Sequence, residues 1–212
     1  MTKLKRVEVS YRDPDLRVKD FEEVCLGYTE EEAREEASRC IQCKRPHCIS
    51  GCPVAIDIPG FIKKIADGKF KESYEILSTY SSLSAVCGRV CPQEDQCEKY
   101  CIMGRKGEPI AIGKLERFAA DYALENNLEV KGQVEKNGKK VAVVGSGPAG
   151  ITCAGELAKL GYEVSLFEAL HKVGGVLTYG IPEFRLPKEK IVEREISNLE
   201  KLGVEIKKNV LI

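Results

Sequence analysis

The sequence predicts a chain in two parts, a small all-helical domain followed by a partial α/β unit on a parallel sheet. Three observations carry this reading. Eight of the ten cysteines fall between Cys40 and Cys101, in a stretch whose apolar residues recur at helical spacing with no strand pattern among them. The segment from Asn126 to Lys140, NNLEVKGQVEKNGKK, is polar, contains two glycines and reads as a linker. Beyond it, short apolar strands alternate with helices, the order that builds a parallel sheet. A length of 212 residues suffices for two small domains, each with its own core.

In chain order, residues 1–28 are aperiodic, carry an Asp13-Pro14-Asp15 turn signal and read as an extended arm. Residues 29–125 form the expected helical domain. Thr29 with Glu32 is a capping box that opens a helix through Ala33 and Ala37 toward the first cysteines. Asp57 or a neighbour starts the next helix, with Pro59 in its first turn, Phe61, Ile62, Ile65 and Ala66 facing inward and Gly68 as its stop. Phe70, Tyr74 and Leu77 follow at helical spacing. Ile112, Leu115, Phe118, Ala119 and Tyr122 mark a longer amphipathic helix. After the linker, 126–139, residues 140–212 read as strand (140–144), helix (148–160), strand (163–167), loop, helix (188–202) and strand (204–207).

Composition removes several function classes. Hydrophobic residues are 43% and charged residues 31%, with Lys+Arg 33 against Asp+Glu 33, so the chain is neither disordered nor surrounded by a field that draws nucleic acid or anionic lipid. The longest apolar runs, such as Val141 to Val144, fall far short of the ~18 residues of a membrane helix. The start, MTKLKRVEV, has no apolar core of a secretory signal. A cytoplasmic protein with no nucleic-acid or membrane partner is expected, and structural disulfides are disfavoured there.

The first cysteine group is Cys40, Cys43, Cys48 and Cys52 followed by Pro53, a C-x2-C-x4-C-x3-C-P run. The second is Cys87, Cys91 with Pro92, Cys97 and Cys101. Thiolates this close repel one another unless a metal centre takes their charge, and each four-thiolate set fits zinc or an iron-sulfur cube. Zinc sites usually pair two C-x2-C knuckles. Here there is one, and Cys-Pro occurs twice as in bacterial ferredoxin runs, which favours iron-sulfur; eight cysteines then predict two clusters.

The other motif is Gly145-Ser146-Gly147-Pro148-Ala149-Gly150, directly after an apolar strand and opening a helix, with Glu168 ending the next strand. This is a GxGxxG in its required context. Gly145 permits the tight turn, Gly147 lets backbone amides approach a pyrophosphate, Gly150 allows close helix packing, and Glu168 accepts from ribose hydroxyls. These residues alone do not separate FAD from NAD.

ERFAADYA, CGRVCPQEDQCEKYC, GSGPAG and GGVLTYGIPEFRLPKE, in this order, resemble the iron-sulfur flavoprotein family that includes the glutamate synthase small subunit. Its relatives are the large subunit of NADH-dependent reduced ferredoxin:NADP oxidoreductase and the N-terminal part of dihydropyrimidine dehydrogenase. The resemblance runs from about residue 20 onward. It implies an α + α/β fold class, an all-helical double-cluster domain with two 4Fe-4S clusters followed by a Rossmann-like FAD-binding βαβ unit, and it resolves the nucleotide as FAD. Carried over by position, Cys40, Cys43, Cys48 and Cys101 serve one cluster, and Cys52, Cys91, Cys97 and Glu116 the other. Cys87 is left out. From spacing alone, Glu116 would read as a solvated helix charge. The resemblance further places Gly174 and Gly175 near the FAD pyrophosphate or ribityl chain; otherwise they form an ordinary turn.

The implied function is an oxidoreductase component in a hetero-oligomer. Electrons pass between NAD(P)H, FAD and two clusters to a partner such as a glutamate synthase large subunit or a ferredoxin-linked flavoprotein subunit. The cofactors carry the chemistry, and no catalytic side chain is singled out. Arg185 reads as near the flavin or a partner, or as a surface arginine; His47 as a loop histidine rather than a zinc ligand; His171 as structural. Cys25 and Cys153 read as packing residues, the latter buried in the helix after the glycine turn. The family pattern is departed from at the end: there is one GxGxxG and no second nucleotide motif before Ile212, so the FAD unit is expected to be incomplete and the chain alone inactive with NAD(P)H. The rival readings are a noncatalytic iron-sulfur interaction module and a zinc-binding adaptor.

Overall fold

A computed structural model of the chain describes residues 4–128 and 135–212. Residues 129–134, within the expected linker, lie outside the described residues, as do residues 1–3. The chain divides into two compact units, Met1–Leu128 and Glu129–Ile212.

In the first unit the arm is not simply extended. Strands β1 (Ser10–Tyr11) and β2 (Cys25–Gly27) pair antiparallel, and between them lies a single helical turn, α1 (Pro14–Arg17). Asp13 caps that turn by accepting from the Asp15 amide, so the Asp-Pro-Asp signal starts a helix rather than a plain bend. The assigned elements from residue 29 to residue 128 are all helical. Helix α2 (Glu30–Ser38) opens on the complete Thr29/Glu32 capping box. A short α3 (His47–Ser50) carries Cys48. Helix α4 (Ile58–Ala66) is capped by Asp57, which accepts from the Gly60 amide, and ends at Gly68, whose positive φ lets the Lys69 amide reach the Lys64 carbonyl.

Helices α5 (Phe70–Tyr80), α6 (Ser84–Val90) and α7 (Ile112–Glu125) complete the unit, with 3-10 turns at Gln93–Asp95 and Ile102–Arg105 between the last two. The inward faces of α2, α4, α5 and α7 form one core of Ala33, Ala37, Phe61, Ile62, Ile65, Leu77, Leu115 and Ala119, closed by an edge-to-face contact of Phe70 with Phe118. Cys40, Cys48, Cys52 and Cys101 pack against this core, and Cys97 is part of it.

The contact that positions the second cysteine group is that of α6 with α7. At Gly88 an added Cβ would lie 2.6 Å from the Arg117 backbone, so only glycine lets the two helices approach this closely. Buried charges then lock them. Arg89 pairs with Asp121 and Glu23, and Arg117 pairs with the same two carboxylates. Each arginine is buried in the fold.

The second unit holds a parallel three-stranded sheet of order β3 (Lys140–Val144), β4 (Glu163–Glu168) and β5 (Glu205–Lys208). Val143 stands opposite Leu166, and Leu166 opposite Ile206. Helix α8 (Pro148–Lys159) crosses between the first two strands, and its Ile151, Ala154 and Ala158 are buried beside Val164 and Leu166. A one-turn α9 (Val176–Tyr179) and a π-helical turn (Lys188–Val192) precede α10 (Glu193–Lys201), so the helix expected from residue 188 starts with a wider turn in which the Val192 amide reaches back to Pro187.

Gly88→Ala is expected to destabilise the first unit by about 1–3 kcal/mol through overpacking against α7. Urea unfolding checks this: a lowered midpoint is expected, and an unchanged one contradicts the close approach.

Candidate functional site

The fold sorts the ligand-type side chains into two sets. Cys40 follows the C-cap of α2, Cys43 lies in the loop after it, Cys48 is on α3 and Cys101 precedes the second 3-10 turn. All four line one cavity, whose apolar wall includes Ile58, Ile62, Ile110 and Ile112. Burial pushes the Cys48 thiol up to about 11, with Cys101 and Cys40 adding to the shift; burial also raises Cys40, with Cys101 and Cys43 adding. Two sulfurs of the set accept hydrogen bonds at 3.5 Å, Cys40 from the Gln42 side chain and Cys101 from the Ile110 amide.

Cys91 is the C-cap of α6, Cys97 is buried, and Glu116 lies on α7. Burial, then Glu116 and Cys52, push the Cys91 thiol up to about 11. Cys97 is raised by burial and then by Glu98, Glu116, Cys52 and Cys91. Cys52, Cys91 and Glu116 thus lie near Cys97, and Cys52 and Glu116 near Cys91. Glu116 is only 6% exposed, which rules out its reading as a solvated helix charge. The reason is the α6–α7 contact, which turns this face of α7 inward. Cys87 sits one turn before Cys91, and its carbonyl accepts from the Gln93 side chain.

A buried carboxylate beside one buried and two half-buried thiols is a donor set of the kind that suits a cationic centre. Among the described residues no three His, Cys, Asp or Glu side chains close on a single ion; the first set instead rings a cavity.

In the second unit Gly145 has φ +90° and makes the turn after β3. A Cβ on Gly150 would meet the Gly145 carbonyl at 1.9 Å, so this position is glycine because helix and turn touch. A Cβ on Gly147 would meet nothing within 4 Å; the protein itself does not require glycine there. Pro148 and Ala149 form the first turn of α8. Glu168 has a role that spacing did not reveal: its carboxylate accepts from the Ser146 amide at 3.0 Å, from the Ser146 hydroxyl and from the Leu170 amide at 2.8 Å. Burial raises its pKa, but these hydrogen bonds outweigh burial and hold it below the usual carboxylate range. Gly174 donates to the Ser146 carbonyl at 3.1 Å, and a Cβ on Gly175 would lie 2.8 Å from the Gly147 Cα. The two segments form one nest around the N-terminus of α8.

Cys153 is exposed, not buried, because it lies on the outer face of α8 beside the buried Ala154. Cys25 is half-buried on β2. His47 is exposed and lines the Cys40 cavity, His171 meets the Tyr179 ring edge-on at 5.8 Å, and Arg185 is exposed.

Fold and site thus define a helical, thiol-rich unit joined to a dinucleotide-type turn. Residues 17–128 match the family described as dihydropyrimidine dehydrogenase domain II, 4Fe-4S cluster, and the chain belongs to that family. Residues 143–192 match an NAD(P)-binding Rossmann-like domain. The chain is 36% identical over 205 residues to the glutamate synthase [NADPH] small chain of Azospirillum brasilense, covering 93% of this chain and 42% of that one. It is 36% identical over 208 residues to that of Escherichia coli K12, covering 97% and 44%. It is also 38% identical over 189 residues to the E. coli K12 NAD-dependent dihydropyrimidine dehydrogenase subunit PreT, covering 89% and 46%. The chain therefore spans less than half the length of these relatives. Among the described residues no helix is long and apolar enough to cross a membrane.

Raised thiol pKa values mean that the folded apo chain holds protons more tightly than the unfolded chain, whose thiols titrate near the ordinary 9.0. Stability is therefore expected to fall as pH rises from 9 toward about 11. Thermal melting of apo chain across that range checks the sign; a rising melting temperature contradicts it.

Gly147→Val is expected to leave folding stability within about 0.5 kcal/mol, because a Cβ there meets nothing within 4 Å, and to abolish binding of any dinucleotide whose pyrophosphate would approach that backbone. Glu168→Ala is expected to cost about 1–3 kcal/mol by orphaning the buried Ser146 amide. Unfolding curves and bound nucleotide, measured on both variants, separate the two effects.

Proposed function

We propose that the chain is the electron-relay part of an NAD(P)H-dependent oxidoreductase of the glutamate synthase small-chain type. The observation that carries this is the sorting of Cys40, Cys43, Cys48 and Cys101 from Cys52, Cys91, Cys97 and Glu116 into two mutually interacting sets. In this reading each set holds one 4Fe-4S cluster, and the glycine turn holds FAD. When bound, the clusters supply one-electron transfer, and the flavin links it to two-electron chemistry.

The residues position and tune. Seven thiolates and one carboxylate hold the two sites, and the mixed set differs in potential from the all-cysteine set because carboxylate is the harder ligand. Ile110 donates an amide hydrogen to Cys101 Sγ, which stabilises added negative charge there. The amides at the start of α8 would hold the pyrophosphate, for which Gly147 leaves room, and Glu168, which braces Ser146, would accept from the ribose through its remaining lone pairs. Cys87 holds no metal. The partner is a second subunit that takes or delivers electrons, either a glutamate synthase large subunit or a ferredoxin-linked flavoprotein subunit, in a cytoplasmic hetero-oligomer.

Metal and sulfide analysis of anaerobically purified chain tests this. About eight iron and eight sulfide are expected; stoichiometric zinc without sulfide contradicts the reading. Cys87→Ser is expected to keep both clusters and Cys91→Ser to lose one. If Cys87→Ser loses a cluster, Glu116 is not the fourth ligand.

A further inference from the structure

We infer that Arg6, in the N-terminal segment, is a positioning residue for the cluster site that contains Cys101. This rests on the reading of the two ligand sets as cluster sites. Arg6 lies before the segment that matches the 4Fe-4S family, which begins at residue 17.

Cys101 sits within a chain of hydrogen bonds. Its Sγ accepts from the Ile110 amide, so the segment from Glu108 to Ala111 must be held in place for that bond to exist. Arg6 holds it from two sides. Its amide donates to the Glu108 carboxylate at 2.7 Å, its Nε donates to the Pro109 carbonyl at 2.6 Å, and one terminal nitrogen reaches the Ile110 carbonyl at 3.4 Å. The same nitrogen pairs at 2.5 Å with Glu98, a residue only 7% exposed. Glu98 lies three residues before Cys101, and its backbone carbonyl accepts from the Cys101 amide. The guanidinium therefore joins the segment that carries the sulfur to the segment that donates to it. Arg6 and Cys101 line the same cleft, of about 550 Å³.

A planar fork holds this arrangement because Nε and a terminal nitrogen point in fixed directions at two separate acceptors. A lysine restores the positive charge toward Glu98 but not the second, directed bond. Charge and geometry are thus separable by substitution. Losing the fork frees the 109–110 segment and lengthens the Ile110 bond to Cys101 Sγ, which disfavours reduction at that site and leaves the Glu116 site as it was.

The test uses the full chain carrying its clusters, as wild type, Arg6→Lys and Arg6→Ala, followed by redox titration with electron paramagnetic resonance and by iron release to a chelator. In Arg6→Lys one of the two midpoints is expected to become more negative while the other stays, and the same cluster is expected to release iron about tenfold faster, an estimate that corresponds to about 1.4 kcal/mol. Arg6→Ala, which also takes the charge partner from Glu98 beside Cys97, is expected to shift that midpoint further and the other one by less. Equal shifts at both clusters, or unchanged midpoints and release in Arg6→Lys, overturn the inference. If Arg6→Ala does not fold, Arg6→Lys decides alone. Wild-type chain without clusters would instead overturn the proposed function, which keeps the two failures distinct.

Discussion

Seven thiols and one carboxylate gathered in and around a small apolar core are the constraint on which the first unit depends. Burial and mutual repulsion drive the thiols away from the charged form, as the upward shifts at Cys40, Cys48, Cys91 and Cys97 record. A fold that brings such groups together must supply rigidity from elsewhere. Here it comes from the α6–α7 contact at Gly88, the arginine pairs on Glu23 and Asp121, and the buried Glu36, which accepts from the Val7 and Ala111 amides and from Arg39. Polar contacts of this kind fix geometry more than they add stability, since desolvation of a buried pair offsets much of its attraction.

The second unit solves a different problem, that of leaving backbone amides open at a helix start. Gly145 and Gly150 are glycine for internal reasons, a turn and a close contact, whereas Gly147 has open space above its Cα. Glu168 and the Gly174-Gly175 segment brace the turn from the side.

Much of this was legible in sequence because it is local. The capping box at Thr29, the stop at Gly68, the strand-turn-helix around Gly145 and the periodicity of α7 depend on residues a few positions apart. What was not legible is long-range. Nothing near Glu116 in sequence says that it is buried; α6 makes it so, from some thirty residues upstream. Arg89, Arg117, Asp121 and Glu23 have no local signature either, because a charged residue on a helix usually faces water. Cys153 reads in sequence as a buried packing residue, yet it is exposed, and the face of α8 that is buried carries Ile151 and Ala154. The arm between residues 4 and 12 showed no periodicity, since its order comes from Arg6 and Val7 reaching Glu98, Glu108 and Glu36.

In the proposed reading Glu116 completes one ligand set while the other is all cysteine. Replacing Glu116 with cysteine in the full chain, and comparing the electron paramagnetic resonance spectra of the reduced wild type and E116C, tests it most directly. The account predicts that one of two reduced-cluster signals changes, because a softer ligand replaces a harder one, and that the other stays as it was. Two unchanged signals would contradict it.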